Sequence, residues 1–195
     1  MKIKSLLAGP KYPWADPKIW LFAESNCDFD IDPNFAGRLA ALTQLIFTSP
    51  PMYRKHIGAW VYPWAKKAYF TSGYRSYNKQ AELYKKSGGR QDAKGNWFGG
   101  SGMAAKPGKS WHNYGLAVDV SWRSLWLKKL EQYEMTMNQD MLRRFGLYKP
   151  LTWGNNTSVI ENWHIQPIEL STLTTDEKLK YRQHYMSEYK KGGKP

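Results

Sequence analysis

The sequence predicts an α+β fold in a single domain, and three observations lead there. At 195 residues the chain is long enough for one substantial core and short for two. Hydrophobic residues make up 42% and aromatic residues 15%, which is the composition of a folded chain. Short aromatic and β-branched runs of strand type are interleaved with capped segments of helical spacing, without internal repeats.

Residues 1–31 are rich in Pro, Trp and Asp and lack periodicity, which predicts an irregular N-terminal arm packed on the domain through Trp14, Trp20 and Phe22. The body of the domain then spans 32–170. Asp32 caps its first helix and Pro33 suits the first helical position, while Leu39, Leu42 and Ile46 form a core-facing stripe until "SPP" ends it near residue 49. "IGAWVY" (57–62) and "KAYFTSGY" (67–74) read as strands. Ser76 caps a helix through "YNKQAELYKK" that stops at Gly88 and Gly89. The stretch 88–110 is glycine-rich without a period, and a structureless loop of that length is usually functional or mobile. A strand ends at Trp122, helical stretches follow at 124–134 and between Asn138 and Gly146, and "ENWHIQPIEL" reads as a final strand. Residues 171–195 hold a last helix, 175–190, with Thr174 and Glu177 as its capping box, and a basic tail.

The net charge of +13, from 29 Lys and Arg against 16 Asp and Glu, calls for an anionic partner: nucleic acid, a membrane surface or an acidic wall polymer. No nucleic-acid motif accompanies the charge. Cys27 is the only cysteine, so no intrachain disulfide forms. The first residues lack the apolar core of a secretory signal, and no run approaches a membrane span, so the expectation is a monomer made in the cytoplasm.

The chemistry concentrates in "KSWHNYGLAVDVSW" (109–122) and "ENWH" (161–164). His112 precedes Asp119 by seven residues, and His164 follows Glu161 by three. Two imidazoles and one carboxylate are the ligands of an open catalytic zinc site that keeps a position for water, with a second carboxylate free to act on that water. Residues seven or three apart in a straight strand face opposite sides, so each pair converges only if the backbone turns between its members. Gly115 supplies a turn before Asp119, and "WGNNTS" supplies irregular chain before Glu161. Beyond that glycine, alternation puts Ala117, Asp119 and Ser121 on one face, with Val118, Val120 and Trp122 on the other. His56 and His184 have no spaced carboxylate and read as surface or packing residues.

"SWHNYGLAVD" resembles the Ser-x-His-x-x-Gly-x-Ala-x-Asp signature of the zinc D-alanyl-D-alanine and L-alanyl-D-glutamate peptidases of bacterial cell walls. "ENWH" resembles their second motif, and "SGYRSYNKQAELY" (72–84) their Gly-Tyr-Arg-Ser segment with a glutamine-containing helix. The three elements stand in family order over residues 68–167. The resemblance implies a hedgehog/D,D-peptidase-like fold, a small antiparallel sheet flanked by helices. It also implies one Zn2+ per chain held by His112, Asp119 and His164, with Glu161 as general base. Arg75 would steady the carbonyl oxygen or the substrate's carboxylate, and Ser110 and Trp163 would join it in binding the peptidoglycan stem peptide.

"HNYGLAVD" is most similar to the L-alanyl-D-glutamate branch, which includes phage endolysins. Glu161 in place of aspartate, Trp163, and Ile165 in place of phenylalanine lean toward the D,D-dipeptidase pattern. The leading reading is an L-alanyl-D-glutamate endopeptidase acting as a phage endolysin, released through a separate membrane pore and drawn by its basic tail to an anionic wall polymer or outer membrane. A D-alanyl-D-alanine carboxypeptidase or dipeptidase and a non-catalytic zinc-containing wall-binding protein are the alternatives. A non-haem iron oxygenase shares the ligand types, but its first histidine and carboxylate stand two apart, which fails here.

Overall fold

The computed structural model describes residues 7, 9–23, 27, 30–48, 52–54, 59–61, 69–102, 104–120, 139–150 and 163–190. The helix expected at 124–134, Glu161, His56 and the basic tail beyond Lys190 lie outside them.

Local chemistry sets the helices. In α2 (Pro33–Thr48), Asp32 Oδ1 accepts from the Asn34 and Phe35 amides at 2.9 and 3.0 Å, filling two of the orphan donors of the first turn. Phe35, Leu39 and Leu42, spaced by four and three, turn one face of α2 into the core. The Ser76 hydroxyl caps α3 (Tyr77–Lys86) by accepting from the Lys79 amide at 3.2 Å. Further along come α4 (Gln139–Arg144) and the short α5 (Glu169–Thr172). The last helix, α6 (Thr175–Lys190), opens with the capping box: Glu177 accepts from the Thr174 amide at 2.8 Å, and the Glu177 amide donates to the Thr174 hydroxyl at 3.3 Å.

Five strands make the main sheet: β1 (Phe22–Ala23), β4 (Tyr69–Ser72), β7 (Val118–Val120), β8 (Leu147–Tyr148) and β9 (His164–Pro167), in the order β1-β4-β7-β9-β8. All neighbours run antiparallel except β1, which lies parallel to β4. Val118, Val120, Ile165 and Phe70 point into the core against α2, where they meet Leu116, Leu142, Leu147 and Leu170. Each such fully buried side chain contributes roughly 1.5–3 kcal/mol. Two hairpins complete the described strands, β2 (Met52–Arg54) with β3 (Ala59–Val61) and β5 (Gly89–Gln91) with β6 (Trp97–Gly99).

Two regions differ from the sequence reading. Residues 1–31 hold a short helix, α1 (Pro17–Trp20), capped by Asp16, and the edge strand β1; Trp20 packs on Ala15, Ala40 and Ala41, but Trp14 is 68% exposed. Spacing could not show β1 because its two residues are ordered by pairing with β4, 47 positions away at Phe22 and Tyr69. The glycine-rich stretch 88–110 is not structureless. Asp92 Oδ1 gathers the Lys94 and Asn96 amides into a turn, and Trp97 docks the hairpin on α3, its indole N–H donating to the Tyr77 hydroxyl at 2.9 Å and its ring meeting Tyr84 edge-on.

Gly115 is where the chain must be glycine. Its φ of +64° closes the 3₁₀ turn Trp111–Tyr114 and redirects the backbone into β7, and a Cβ there would sit 3.1 Å from the Asp30 carbonyl oxygen and 3.2 Å from the Ile31 Cα. Gly115→Ala should lower stability by roughly 1–2 kcal/mol from the left-handed conformation alone, and by more once those backbone contacts are relieved. A urea midpoint equal to wild type would show that the turn relaxes freely.

Candidate metal centre

The 3₁₀ turn, β7 and β9 bring the three predicted ligands together. His112 sits in the turn and Asp119 in the middle of β7. His164 opens β9 directly opposite Asp119 in the ladder. Seven positions separate His112 from Asp119, and the Gly115 turn folds that distance back on itself. Asp119 Oδ1 lies 3.3 Å from His112 Nε2 and 3.1 Å from His164 Nδ1. One ligand atom from each of the three residues falls within 4.8 Å of the others, the imidazoles standing nearly perpendicular at 77°.

The surroundings prepare the set for a cation. His112 Nδ1 lies 2.7 Å from the Gly73 carbonyl oxygen, which makes Nδ1 the protonated nitrogen and leaves the Nε2 lone pair facing Asp119. Burial pushes the His112 pKa down, toward the neutral form a metal requires. Burial alone would raise the Asp119 pKa, but the charge and hydrogen bonds of the histidines outweigh it and hold the carboxyl well below the usual range. Two imidazoles and an ionised carboxylate, converging through two nitrogens and one oxygen, fit zinc.

Asp119 is fixed from its other side by Arg75. The guanidinium donates to Asp119 Oδ2 at 3.2 Å, to the Ser72 hydroxyl at 2.8 Å and to Gln80 Oε1 at 3.1 Å. Gln80 is itself held by the Ala105 carbonyl. Asn113 laces the 3₁₀ turn to the segment before α3, its amide donating to the Arg75 carbonyl at 2.6 Å, while the Arg75 amide donates to the His112 carbonyl at 3.0 Å. These anchoring bonds of Ser72, Gln80 and Asn113 were not read from the sequence. The signal was present in the Ser72 and Gln80 positions flanking Arg75 within one short segment.

The three residues open onto a cleft of about 490 Å³ that Arg75, Ser110, Trp163 and Lys86 also line. Ser110 stands just before the 3₁₀ turn with its hydroxyl free of a capping bond. Trp163 precedes His164, and its carbonyl accepts from the Val120 amide at 2.9 Å, carrying the ladder one residue past β9. Glu161, outside the described residues, stands two positions earlier. His56 is likewise outside them, and so is the side chain of His184.

Residues 65–168, more than half of the chain, match the profile of the family described as VanY, D-alanyl-D-alanine carboxypeptidase. The chain belongs to this family. As a VanY-family member it is a peptidase that acts on the peptidoglycan of the cell wall, in line with the motifs of the sequence, and His112, Asp119 and His164 form a group that could hold a metal ion. Among solved structures it is similar to the LdcB LD-carboxypeptidase, at 20% identity over 77% of this chain and 68% of that one, with a TM-score of 0.46. It is also similar to a variant of the vancomycin resistance D,D-pentapeptidase VanY in complex with Zn(II), at 20% identity over 86% and 94% with a TM-score of 0.42. A third similar structure is VanYB in complex with D-alanine-D-alanine, at 22% identity over 84% and 91%, again with a TM-score of 0.42. No curated protein matches. Among the described residues no helix is long and apolar enough to cross a membrane.

Proposed function

We propose that His112, Asp119 and His164 hold the zinc ion and that the chain hydrolyses an amide bond of the peptidoglycan stem peptide in the cleft beside them. The convergence of two imidazoles on one carboxylate oxygen supports this reading most directly. Zinc, when bound, supplies Lewis-acid polarisation and lowers the pKa of water to about 7. Glu161 takes the proton from the attacking water and returns it to the leaving amine, so that a C–O bond forms as the C–N bond breaks. Arg75 has two tasks: it orients Asp119 through Oδ2, and from the cleft wall it offers its remaining N–H groups to a substrate oxygen. Ser110 and Trp163 line the same cleft and position the peptide.

The family match favours removal of a terminal D-alanine. The phrase "HNYGLAVD" favours a second reading, cleavage of the internal L-alanyl-D-glutamate bond by a phage endolysin, with the net charge of +13 drawing the enzyme to an anionic wall. Mass spectrometry of stem peptides after digestion separates the two, since free D-alanine appears only in the first. Elemental analysis tests the centre itself: one zinc per chain is expected in the wild type and little in His164→Ala. Unchanged zinc in the variant would sink the ligand assignment.

A further inference from the structure

Beside the cleft lies a second cavity of about 600 Å³. The two share Ala104, Ala105, Ser110 and His164, so the second opens onto the metal centre. Its wall continues along β9 from His164 to Gln166, about 6.6 Å of extended strand, which is the reach of two residues of an extended peptide.

Four cations line this cavity, Lys106, Lys109, Lys178 and Arg182, and among the described residues no carboxylate does. None of the four forms an ion pair among the described residues. Lys178 and Arg182 are one helical turn apart on α6 and share a face of it. Arg182 is held in place: its guanidinium lies 4.6 Å over the Trp111 ring, and Nη2 donates to the Lys109 carbonyl at 2.9 Å. Its Nε is buried without a hydrogen-bond partner among the described residues. Gathering cations around a partly enclosed space without an anion is unfavourable, and the arrangement is relieved when an anion enters. Both α6 residues lie beyond position 168, where the family match ends.

We propose that the second cavity is a subsite for a carboxylate of the stem peptide, held by Lys106, Lys109, Lys178 and Arg182 within two residues of the scissile bond. The proposal rests on the reading of the neighbouring centre as the peptidase site. A phosphate-bearing wall polymer is the competing anion, and the closeness of the cavity to His164 favours a group of the substrate itself.

The test uses the zinc-loaded full chain and three synthetic stem peptides of one sequence: all carboxylates free, the C-terminal carboxylate amidated, or the internal acidic residue amidated. Wild type should prefer the free peptide on the order of tenfold in kcat/KM over whichever amidated peptide lacks the recognised group, which identifies that group. Lys106→Gln combined with Lys178→Gln should abolish the preference, mainly through KM. Lys180→Gln removes the same type of charge from α6 away from the cavity and should keep it. Equal rates on all three peptides in wild type, or a preference that survives the double change, would overturn the subsite. So would polyphosphate that binds more tightly than the free peptide and loses this advantage in the double variant. If wild type cleaves none of the peptides, the peptidase reading falls, while calorimetric titration with the same peptides still decides the subsite, equal affinities for all three refuting it.

Discussion

Glu161→Gln should retain zinc and fold while turnover of stem peptide falls by about 100- to 10,000-fold, the range for loss of a general base. Glutamine matches glutamate in size and still accepts a hydrogen bond from water, so binding and orientation persist, but an amide oxygen cannot carry the proton to the leaving nitrogen. The position follows from the chain: Glu161 is three residues ahead of His164, and β9 aims His164 at Asp119 across the ladder. KM should change little, because the loss falls on the chemical step. The check is steady-state kinetics on a synthetic peptide with zinc content measured on the same sample. Near wild-type kcat in a zinc-replete Glu161→Gln would remove Glu161 from the mechanism.

What was legible in the sequence was local. Asp32, Ser76 and Thr174 announce helix starts because a cap acts over three residues, and all three make the expected bonds. Val118 and Val120 are buried and Asp119 lies between them because strand alternation is a two-residue rule. His112 and Asp119 could be paired on paper because a glycine stood between them where a turn was needed. The register that sets His164 opposite Asp119 is a matter of pairing across 45 positions, and spacing alone does not contain it. The same holds for β1, ordered by β4, and for the hairpin at 89–99, whose three-residue strands are too short to show a period. Trp14 misled because an aromatic side chain in an arm suggests packing, yet Tyr12 is the aromatic group it meets edge-on while most of its surface stays exposed.

A long-range link across 131 positions is the one the sequence concealed most fully, and it should govern stability. Arg38 is fully buried on the core side of α2 and forms a paired bond with Glu169 of α5, Nη1 to Oε2 at 2.8 Å and Nη2 to Oε1 at 2.7 Å. Nη1 also donates to the Gly146 carbonyl at 2.7 Å, and the Gly9 amide donates to Glu169 Oε1 at 2.9 Å. One ion pair thus ties the N-terminal segment, α2, the turn after α4 and α5. Glu169→Ala leaves a buried guanidinium without its anion and should cost about 3–5 kcal/mol, read as a lower urea midpoint with an unchanged m-value. Glu169→Gln should cost less, because the amide oxygen still accepts one of these bonds. Burial by itself would raise the Glu169 pKa, but the hydrogen bonds and charge of Arg38 prevail and lower it. A depressed folded pKa means that the stabilisation is fully present above the unfolded pKa and disappears as pH falls through the folded one. The gap between wild type and Glu169→Gln should therefore hold at neutral pH and narrow as the pH falls through the acid range below the ordinary carboxylate value. A gap that stays constant across that range would show that Glu169 works through packing and hydrogen-bond geometry rather than through its charge.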